Sequence, residues 1–250
     1  NNSAPTFTDT GDHVWTPQIG QDKYQKANAD IVSQKAKKIA VVYIENDWGK
    51  QAYEYFKDEA EKNGTEITYT SSYLADSTDL SPILIKARDT KPDAVVNIGY
   101  GPDGALVVNT LRDKLGYTGL FFGGQETSEF LSNAGDNAEG TIITGSFSAT
   151  GTKDSKAKKF VKAFNKKYGY NPGNFEVTAY QAIIDLAYGA GKTEPTRAGI
   201  QKALQTVTDF PLYQGNGGTF KFNQKTRRAD NIEPILLKVK DGKFVQYDVD

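Results

Sequence analysis

The chain lacks cysteine and methionine altogether and has a single histidine, His13, among its 250 residues. Without cysteine it can form no disulfide, no thiolate nucleophile and no redox-active CxxC site. Zinc sites draw mainly on cysteine and histidine, so the composition also argues against a zinc centre. A catalytic serine triad would need His13, which lies in a polar segment before the first predicted strand. We expect His13 to be an exposed residue without a catalytic role.

An excess of charge and long apolar runs are also absent. Thirty Lys and Arg against 31 Asp and Glu leave a formal net charge of −1, which argues against a nucleic-acid partner. The longest apolar run, 39–44, is far shorter than the roughly 20 residues that a membrane-spanning helix needs. Because no initiator methionine is present, we expect Asn1 to be a processed or truncated end.

The first half of the sequence alternates between β-branched runs and amphipathic segments. Strands are predicted over 38–44, 66–73, 93–98, 120–123 and 141–147. Helices are predicted over 51–62, 77–89, 103–115 and 127–134. This alternation predicts an α/β fold with a doubly wound, mostly parallel sheet that has helices on both faces.

The second half is rich in predicted helices and poor in strands. Helices are predicted over 156–168, 175–190 and 197–206, and the middle one is apolar on more than one face, which predicts burial between two layers. A short strand over 219–222 and a hairpin of 234–239 with 244–248 follow. Three helices without a sheet to cover predict that 149–222 is part of a second domain whose strands are missing.

The sharpest local motif is the glycine loop GYGPDG at 99–104. It is a literal G-x-G-x-x-G that follows a predicted strand and opens a predicted helix, which is the context of a dinucleotide fingerprint. Glu126, at the end of the next strand, lies near the place of a ribose-binding acid. An NAD-dependent oxidoreductase therefore stays open as one function, and a tight strand-to-helix turn with Pro102 at the helix start is the other explanation.

The carboxyl ends of the predicted strands favour binding without chemistry. Ligands of open α/β sheets bind beyond these ends, which here carry Trp48, Tyr73 and Tyr100 together with amides and carboxylates. No histidine, cysteine or lysine is poised there as a base or nucleophile. This edge suits holding a small polar molecule better than transforming one, so we predict a binding protein with no catalytic residue, metal or cofactor.

Five motifs follow one another in order: KIAVVY at 38–43, NDWG at 46–49, TDLS at 78–81, KPDAV at 91–95 and NAEGT at 137–141. With NSAPT at 2–6 and TD at 8–9, they resemble the branched-chain amino-acid type of periplasmic solute-binding protein. The resemblance implies the two-lobed type I periplasmic-binding-protein fold. It also implies the substrate-binding protein of an ABC importer, with a branched-chain amino acid or a similar small polar ligand.

The resemblance further implies a division into lobes, with crossings near 18–22, 147–151 and 224–230. Residues 21–147 and 229–250 would form a complete C-terminal-type lobe. Residues 1–20 and 148–228 would be the remnant of an N-terminal-type lobe that lacks its first part. The family holds its ligand in the interlobe cleft, and hinge closure around it creates the form that the importer recognises.

The family's ligand contacts carry over to six positions: Ser3, Trp48, Tyr100, Gln125, Glu126 and Phe175. The resemblance implies that the Ser3 hydroxyl holds a ligand carboxylate and that Trp48, Tyr100 and Phe175 form aromatic walls. The family's acid for the ligand ammonium falls at Gln125, with Glu126 next to it. A neutral amide loses the charge-assisted hydrogen bond, which weighs against an ordinary α-amino acid.

The implied partners are the small-molecule ligand and the membrane permease of an ABC importer. The implied location is extracytoplasmic, either in the periplasm or, in a Gram-positive cell, on the surface as a lipoprotein. A ligand-sensing receptor domain on the same fold remains an alternative, as does the oxidoreductase. With one lobe incomplete, half of the polar contacts are lost, so we expect weak or absent ligand binding by this chain alone.

Overall fold

The structure, a computed structural model, describes residues 3–229 and 231–247. Asn2 of the opening motif and Asp248 of the predicted hairpin lie outside the described residues. The chain divides into two units. Unit 1 consists of Asn1–Lys23 and Ser146–Ile235, and unit 2 of Tyr24–Gly145 and Leu236–Asp250. The assignment of 21–147 with 229–250 to one lobe of the family, and of 1–20 with 148–228 to the other, stays a prediction.

The described strands are β1 (Lys38–Ile44), β2 (Glu66–Tyr73), β3 (Ala94–Ile98), β4 (Leu120–Phe122), β5 (Ile142–Gly145), β6 (Phe210–Pro211), β7 (Thr219–Phe220), β8 (Ile235–Lys240) and β9 (Lys243–Gln246). Seven of them form one sheet of order β2-β1-β3-β4-β5-β8-β9. The pairs among β1 to β5 are parallel, and the β8–β9 hairpin is antiparallel. The predicted mostly parallel sheet is confirmed.

The described α-helices are α1 (Gln21–Lys35), α2 (Asp47–Lys62), α3 (Ser81–Asp89), α4 (Gly101–Asn109), α5 (Ser128–Ala134), α6 (Ser155–Tyr168), α7 (Asn174–Lys192) and α8 (Arg197–Thr206). Short 3₁₀ turns cover Pro5–Thr10 and Gly135–Ala138, and a π-helical turn over Thr110–Lys114 continues α4. Neither α1 nor β6 is among the elements predicted from sequence. Buried positions in α1 include Ala29 and Val32, which stand among mostly polar residues and give little amphipathic signal.

The large sheet of unit 2 is covered on both faces because residues along each strand alternate between them. Val41 of β1 lies in a buried cluster with Val32 of α1 and Phe56 of α2. Val42, its neighbour, lies in the opposite cluster with Leu84 of α3, among residues of α4 and α5. This two-sided burial explains why the central strands are continuous apolar runs, and it confirms helices on both faces.

Two helices begin four residues away from their predicted starts, and local side-chain hydrogen bonds explain both. α2 begins at Asp47 instead of residue 51 because the Asn46 side chain accepts a hydrogen bond from the Gly49 amide at 2.7 Å. α3 begins at Ser81 instead of residue 77 because Asp79 Oδ1 accepts from the Ser81 amide at 3.0 Å. Both hydrogen bonds lie where a strand of the sheet leads into the next helix, and they fix the first residue of that helix.

Unit 1 contains α6, α7, α8 and the ribbon formed by β6 and β7. Phe147, Phe160 and Val177 form one buried cluster in this unit. The predicted burial of residues 175–190 between two layers is wrong. Ile183 and Leu186 of α7 are 65% and 44% exposed, because no element among the described residues covers that face.

Candidate functional site

Two aromatic side chains meet where β1 and β3 end. Trp48 stands in the first turn of α2, directly after β1, and Tyr100 precedes α4, directly after β3. Their rings stack with centroids 5.0 Å apart and planes 27° apart. Tyr100 is 38% exposed, and its hydroxyl oxygen accepts a hydrogen bond from Asn46 Nδ2 at 3.4 Å. The structure thus brings the two predicted aromatic contacts of unit 2 together as one partly exposed wall.

The predicted polar pair has two different environments. Gln125 follows β4 and is half-buried, and its Oε1 accepts a hydrogen bond from the Gly101 amide at 3.2 Å. Glu126 is only 6% exposed. Its carboxylate lies against β5, where a Cβ built on Gly145 would stand 2.5 Å from Glu126 Oε2. Of the two, Gln125 is the more accessible side chain at this edge.

The glycine loop owes its composition to close packing. A Cβ on Gly99 would lie 2.1 Å from the hydroxyl oxygen of Tyr73, and one on Gly104 would lie 2.4 Å from the Cα of Gly124. Pro102 occupies the first turn of α4, where its missing N–H leaves no helical hydrogen bond unmade. The loop is therefore the tight strand-to-helix turn that was one of the two explanations.

Three polar residues at this edge were not predicted as site residues. Asn97 is 3% exposed, and its Nδ2 donates to the Tyr73 hydroxyl oxygen at 2.8 Å. Burial raises the pKa of the Tyr73 phenol and that of the Asp103 carboxyl. Asp103 Oδ2 also accepts from the Tyr100 amide at 3.0 Å. The available signal for Asn97 was a single amide within the apolar strand β3.

Lys50, at the start of α2 near this edge, has its charge paired. Lys50 Nζ lies 2.5 Å from Glu45 Oε1, and hydrogen bonds from Lys50 and Ser72 lower the pKa of the Glu45 carboxyl. The same hydrogen bond raises the pKa of the Lys50 ammonium, so Lys50 is not poised as a base. The observed chemistry at the edge is that of aromatic rings, amides and paired charges.

The other two predicted contacts, Ser3 and Phe175, belong to unit 1. The Ser3 hydroxyl donates to Gln21 Oε1 at 3.2 Å, and Arg228 Nη2 donates to the Ser3 carbonyl oxygen at 3.2 Å. Phe175 is the second residue of α7 and is 41% exposed. His13, in the same unit, is exposed as predicted.

Neither a metal cluster nor a membrane-spanning helix occurs in residues 3–229 and 231–247. That part of the chain holds no group of three or more His, Asp or Glu side chains placed to bind a metal ion. Within the same residues, no helix combines the length and the apolar character needed to cross a membrane.

A family model described as periplasmic binding protein matches residues 4–241. The chain belongs to the periplasmic binding protein family. It is 31% identical over 232 residues to Leu/Ile/Val-binding protein homolog 3 of Brucella melitensis. The matched region is 90% of this chain and 60% of that protein. The predicted family is confirmed. The family and this relative are named for binding, which favours a binding protein over the oxidoreductase hypothesis for 99–104.

Solved structures confirm the type I fold. A leucine-binding protein from Thermotoga maritima superposes with a TM-score of 0.86 at 22% identity, covering 98% of this chain and 70% of that chain. A second structure is that of a branched-chain amino acid transporter substrate-binding protein from Streptococcus pneumoniae in complex with isoleucine. It superposes with a TM-score of 0.83 at 23% identity, covering 96% of this chain and 69% of that chain. The chain spans about 60% of the length of the curated relative.

Proposed function

We propose that the chain is the ligand-binding part of an ABC importer's substrate-binding protein and that its ligand is a branched-chain amino acid or a similar small polar molecule. The names of the relatives support this proposal. The Brucella melitensis relative is a Leu/Ile/Val-binding protein homologue, and the Streptococcus pneumoniae structure contains isoleucine. The observation that carries the site is the Trp48–Tyr100 stack at the carboxyl edge of the sheet.

The stacked pair supplies a flat apolar wall for an aliphatic side chain. Each methylene group removed from water against such a wall contributes about 0.8 kcal/mol. Leucine, isoleucine and valine carry their apolar atoms on one branched side chain, so one wall serves all three. Part of the Tyr100 ring is exposed, which leaves apolar area for the ligand to cover.

Polar groups around the wall match the rest of an amino acid. α2 and α4 both begin at this edge, and helix N-termini favour a negatively charged group such as a carboxylate. Gln125 offers a neutral amide beside the first residue of α4. We assign the polar selectivity to Gln125 and Glu126, and we retain Ser3 and Phe175 as proposed contacts from unit 1.

The remaining parts of the proposal concern the whole protein. The partner is a small amino-acid-like ligand and, for transport, the membrane permease of the importer. The location is extracytoplasmic, either the periplasm or the cell surface through a lipid anchor. These follow from the family, in which the binding protein delivers its ligand to a membrane complex.

Amide NMR spectra recorded during titration with L-leucine, L-isoleucine and L-valine test the site. We expect saturable shifts at Trp48, Tyr100 and Gln125, with half-saturation at about 1 mM or weaker. Tyr100→Ala should weaken binding at least about tenfold, which corresponds to about 1.4 kcal/mol. Tyr188→Ala, a partly exposed tyrosine in α7, is the matched control and should leave binding unchanged. Shifts confined to residues away from this edge would refute the site.

A double variant tests the polar assignment. Gln125→Ala with Glu126→Ala should weaken amino-acid binding further than Gln125→Ala alone, because both polar groups are then removed. Glu126→Gln keeps the shape of that buried side chain and separates the loss of charge from the loss of packing. Undiminished binding by the double variant would show that neither residue contacts the ligand.

A further inference from the structure

Helix α6 concentrates positive charge. Its 14 residues include no acidic residue and six lysines, which are Lys156, Lys158, Lys159, Lys162, Lys166 and Lys167. The whole chain has a formal net charge of −1 and α6 contributes six positive charges, so the residues outside α6 carry a net charge of −7. A single helix is therefore strongly basic in a protein that is otherwise acidic.

Most of these charges face solvent. The side of α6 that is buried includes Ala157 and Phe160. Lys156 Nζ lies 3.3 Å from Asp154 Oδ2 and is paired. The other five lysines of α6 are exposed, and none of them has an ion-pair partner within residues 3–229 and 231–247. The exposed side of α6 thus presents five positive charges that no acid neutralises.

Three of these lysines line an open groove. Lys158, Lys162 and Lys166 follow one another at intervals of four residues, which places them in one row along α6. The row lines a groove of about 530 Å³ to which Asn165 and Asn171 also contribute. Like charges four residues apart destabilise a helix, whereas an anion in the groove would accept hydrogen bonds from several of these N–H donors. The groove therefore suits an anionic group.

Two partly exposed tyrosines lie at the carboxyl end of α6. Tyr168 and Tyr170 are 53% and 41% exposed, and their ring centroids lie 4.5 and 5.2 Å from that of Phe164. Lys167 Nζ lies 5.0 Å from the centroid of the Tyr168 ring. A tyrosine ring has an apolar body and a polar hydroxyl, which suits the headgroup level of a bilayer. The basic surface therefore continues into side chains that favour a lipid interface.

We propose that the lysine face of α6 docks on a bilayer that contains anionic phospholipids, with a headgroup phosphate in the groove. The lysine face consists of Lys158, Lys159, Lys162, Lys166 and Lys167. Anionic headgroups lie in one plane and can meet all five charges of a single helix face, and the same interface accommodates the two tyrosine rings. The net charge of −7 outside α6 disfavours a soluble polyanion that extends beyond this face.

Vesicle sedimentation tests this surface without any amino acid. The chain is mixed with vesicles of phosphatidylcholine, either alone or with one-third phosphatidylglycerol, and the bound fraction gives the partition coefficient. We expect binding to the anionic vesicles to be at least about tenfold stronger at low salt. Most of this binding should be lost at about 0.5 M salt, because salt screens exposed charges. Amide hydrogen exchange in residues 158–170 should slow when anionic vesicles are added.

Paired variants identify the lysines that bind. Lys162→Gln with Lys166→Gln should lower the partition coefficient at least about tenfold, because each lysine near an anionic bilayer contributes about fivefold. Lys240→Gln with Lys243→Gln removes the same charge from two exposed lysines of the β8–β9 hairpin and should change binding by less than about twofold. Circular dichroism should show that both double variants stay folded, since all four side chains are exposed.

Three results would overturn the proposal. The first is the same binding, or none, to the two kinds of vesicle at low salt. The second is an equal loss of binding in the two double variants, which would trace binding to net charge instead of α6. The third is binding of long-chain inorganic polyphosphate without binding of anionic vesicles, because the partner would then be a soluble polyanion. No amino acid is present in these experiments, so their failure is distinct from failure of the amino-acid site.

Discussion

Asp185 is the buried acid whose ionisation has the clearest consequence for stability. Burial raises the pKa of its carboxyl to about 8, although a hydrogen bond from Gln181 lowers it in part. Among the described residues its Oδ2 has no hydrogen-bond partner. The folded protein therefore keeps a proton on Asp185 that the unfolded chain releases near its ordinary pKa of 3.8. Between these two values the folded state binds more protons, so the free energy of unfolding falls as the pH rises.

Asp185→Asn is predicted to remove this dependence. Asparagine has the shape of the protonated acid and keeps the oxygen that accepts from Gln181. We expect its urea unfolding midpoint to match that of the unaltered chain at about pH 4 and to exceed it at about pH 9.

Asp209→Asn is the control for that experiment. Hydrogen bonds from Tyr188 and Lys192 lower the pKa of the exposed Asp209 carboxyl. At pH values above the pKa of the unfolded chain, the Asp209 charge therefore stabilises the folded state, and this contribution is lost as the pH falls. Its removal should be more unfavourable at high pH than at low pH, the opposite trend to Asp185→Asn. Equal pH profiles for the two variants would contradict the account of Asp185.

Gly104 tests whether the glycine loop is required by packing. Gly104→Ala would place a Cβ 2.4 Å from the Gly124 Cα. Backbone on both sides has little room to move, so we expect a loss of about 1–3 kcal/mol in the free energy of unfolding. Chemical denaturation measures this directly.

Gly191→Ala is the matched control. Gly191 is also helical, and a Cβ added there would meet no atom within 4 Å. Alanine favours helix, so stability should rise by up to about 1 kcal/mol. If Gly104→Ala is as stable as Gly191→Ala, close packing is not the reason for the glycine.

At the scale of elements, capping fixes where helices start. Asp154 accepts hydrogen bonds from the Lys156 and Ala157 amides at 2.8 and 2.9 Å at the start of α6. Asp154→Ala should cost about 0.5–2 kcal/mol in thermal unfolding, whereas Asp154→Ser should recover most of that loss. Equal stabilities of the two variants would mean that the cap contributes little to α6.

The strands of unit 2 were the elements most readily predicted from sequence. β1 matches the predicted 38–44 because a buried parallel strand is a nearly continuous apolar run. β2, the half-buried edge strand, matches 66–73 because it is rich in β-branched and aromatic residues. α8 matches 197–206 for a similar reason, as its apolar period is regular. α1 was missed because its sequence is largely polar, and β6 because a two-residue strand carries no periodicity.

The candidate site was predictable only in part. Aromatic residues at strand ends can be read from the sequence, and the structure stacks Trp48 on Tyr100. The burial of Glu126 depends on how β4 and β5 pack, and the hydrogen bond from the Gly101 amide to Gln125 Oε1 depends on how α4 packs beside β4. Asn97 was missed because a single polar residue does not change the apolar character of β3. Such contacts are tertiary, and local patterns do not encode them.

At the scale of the molecule, distant segments of sequence make up each unit. In unit 1, Thr16 forms a β-bridge with Arg228, and Thr8 Oγ1 donates to the Thr226 carbonyl oxygen at 2.7 Å. In unit 2, the hairpin of β8 and β9 adds to the edge of the sheet at β5. Unit 1 therefore needs the segment before α1 as well as 146–235, and unit 2 needs the β8–β9 hairpin as well as 24–145.

The fluorescence of Trp48 tests the central claim most directly. The chain has two tryptophans, and Trp15→Phe leaves Trp48 as the sole reporter. The Trp15 ring packs on Phe222 in unit 1, a contact that phenylalanine can retain in large part. Titration of this variant with L-leucine should give a saturable change in emission with a midpoint of about 1 mM or weaker. A saturable change that the further substitution Tyr100→Ala leaves unaltered would contradict a branched-chain amino-acid site at Trp48 and Tyr100.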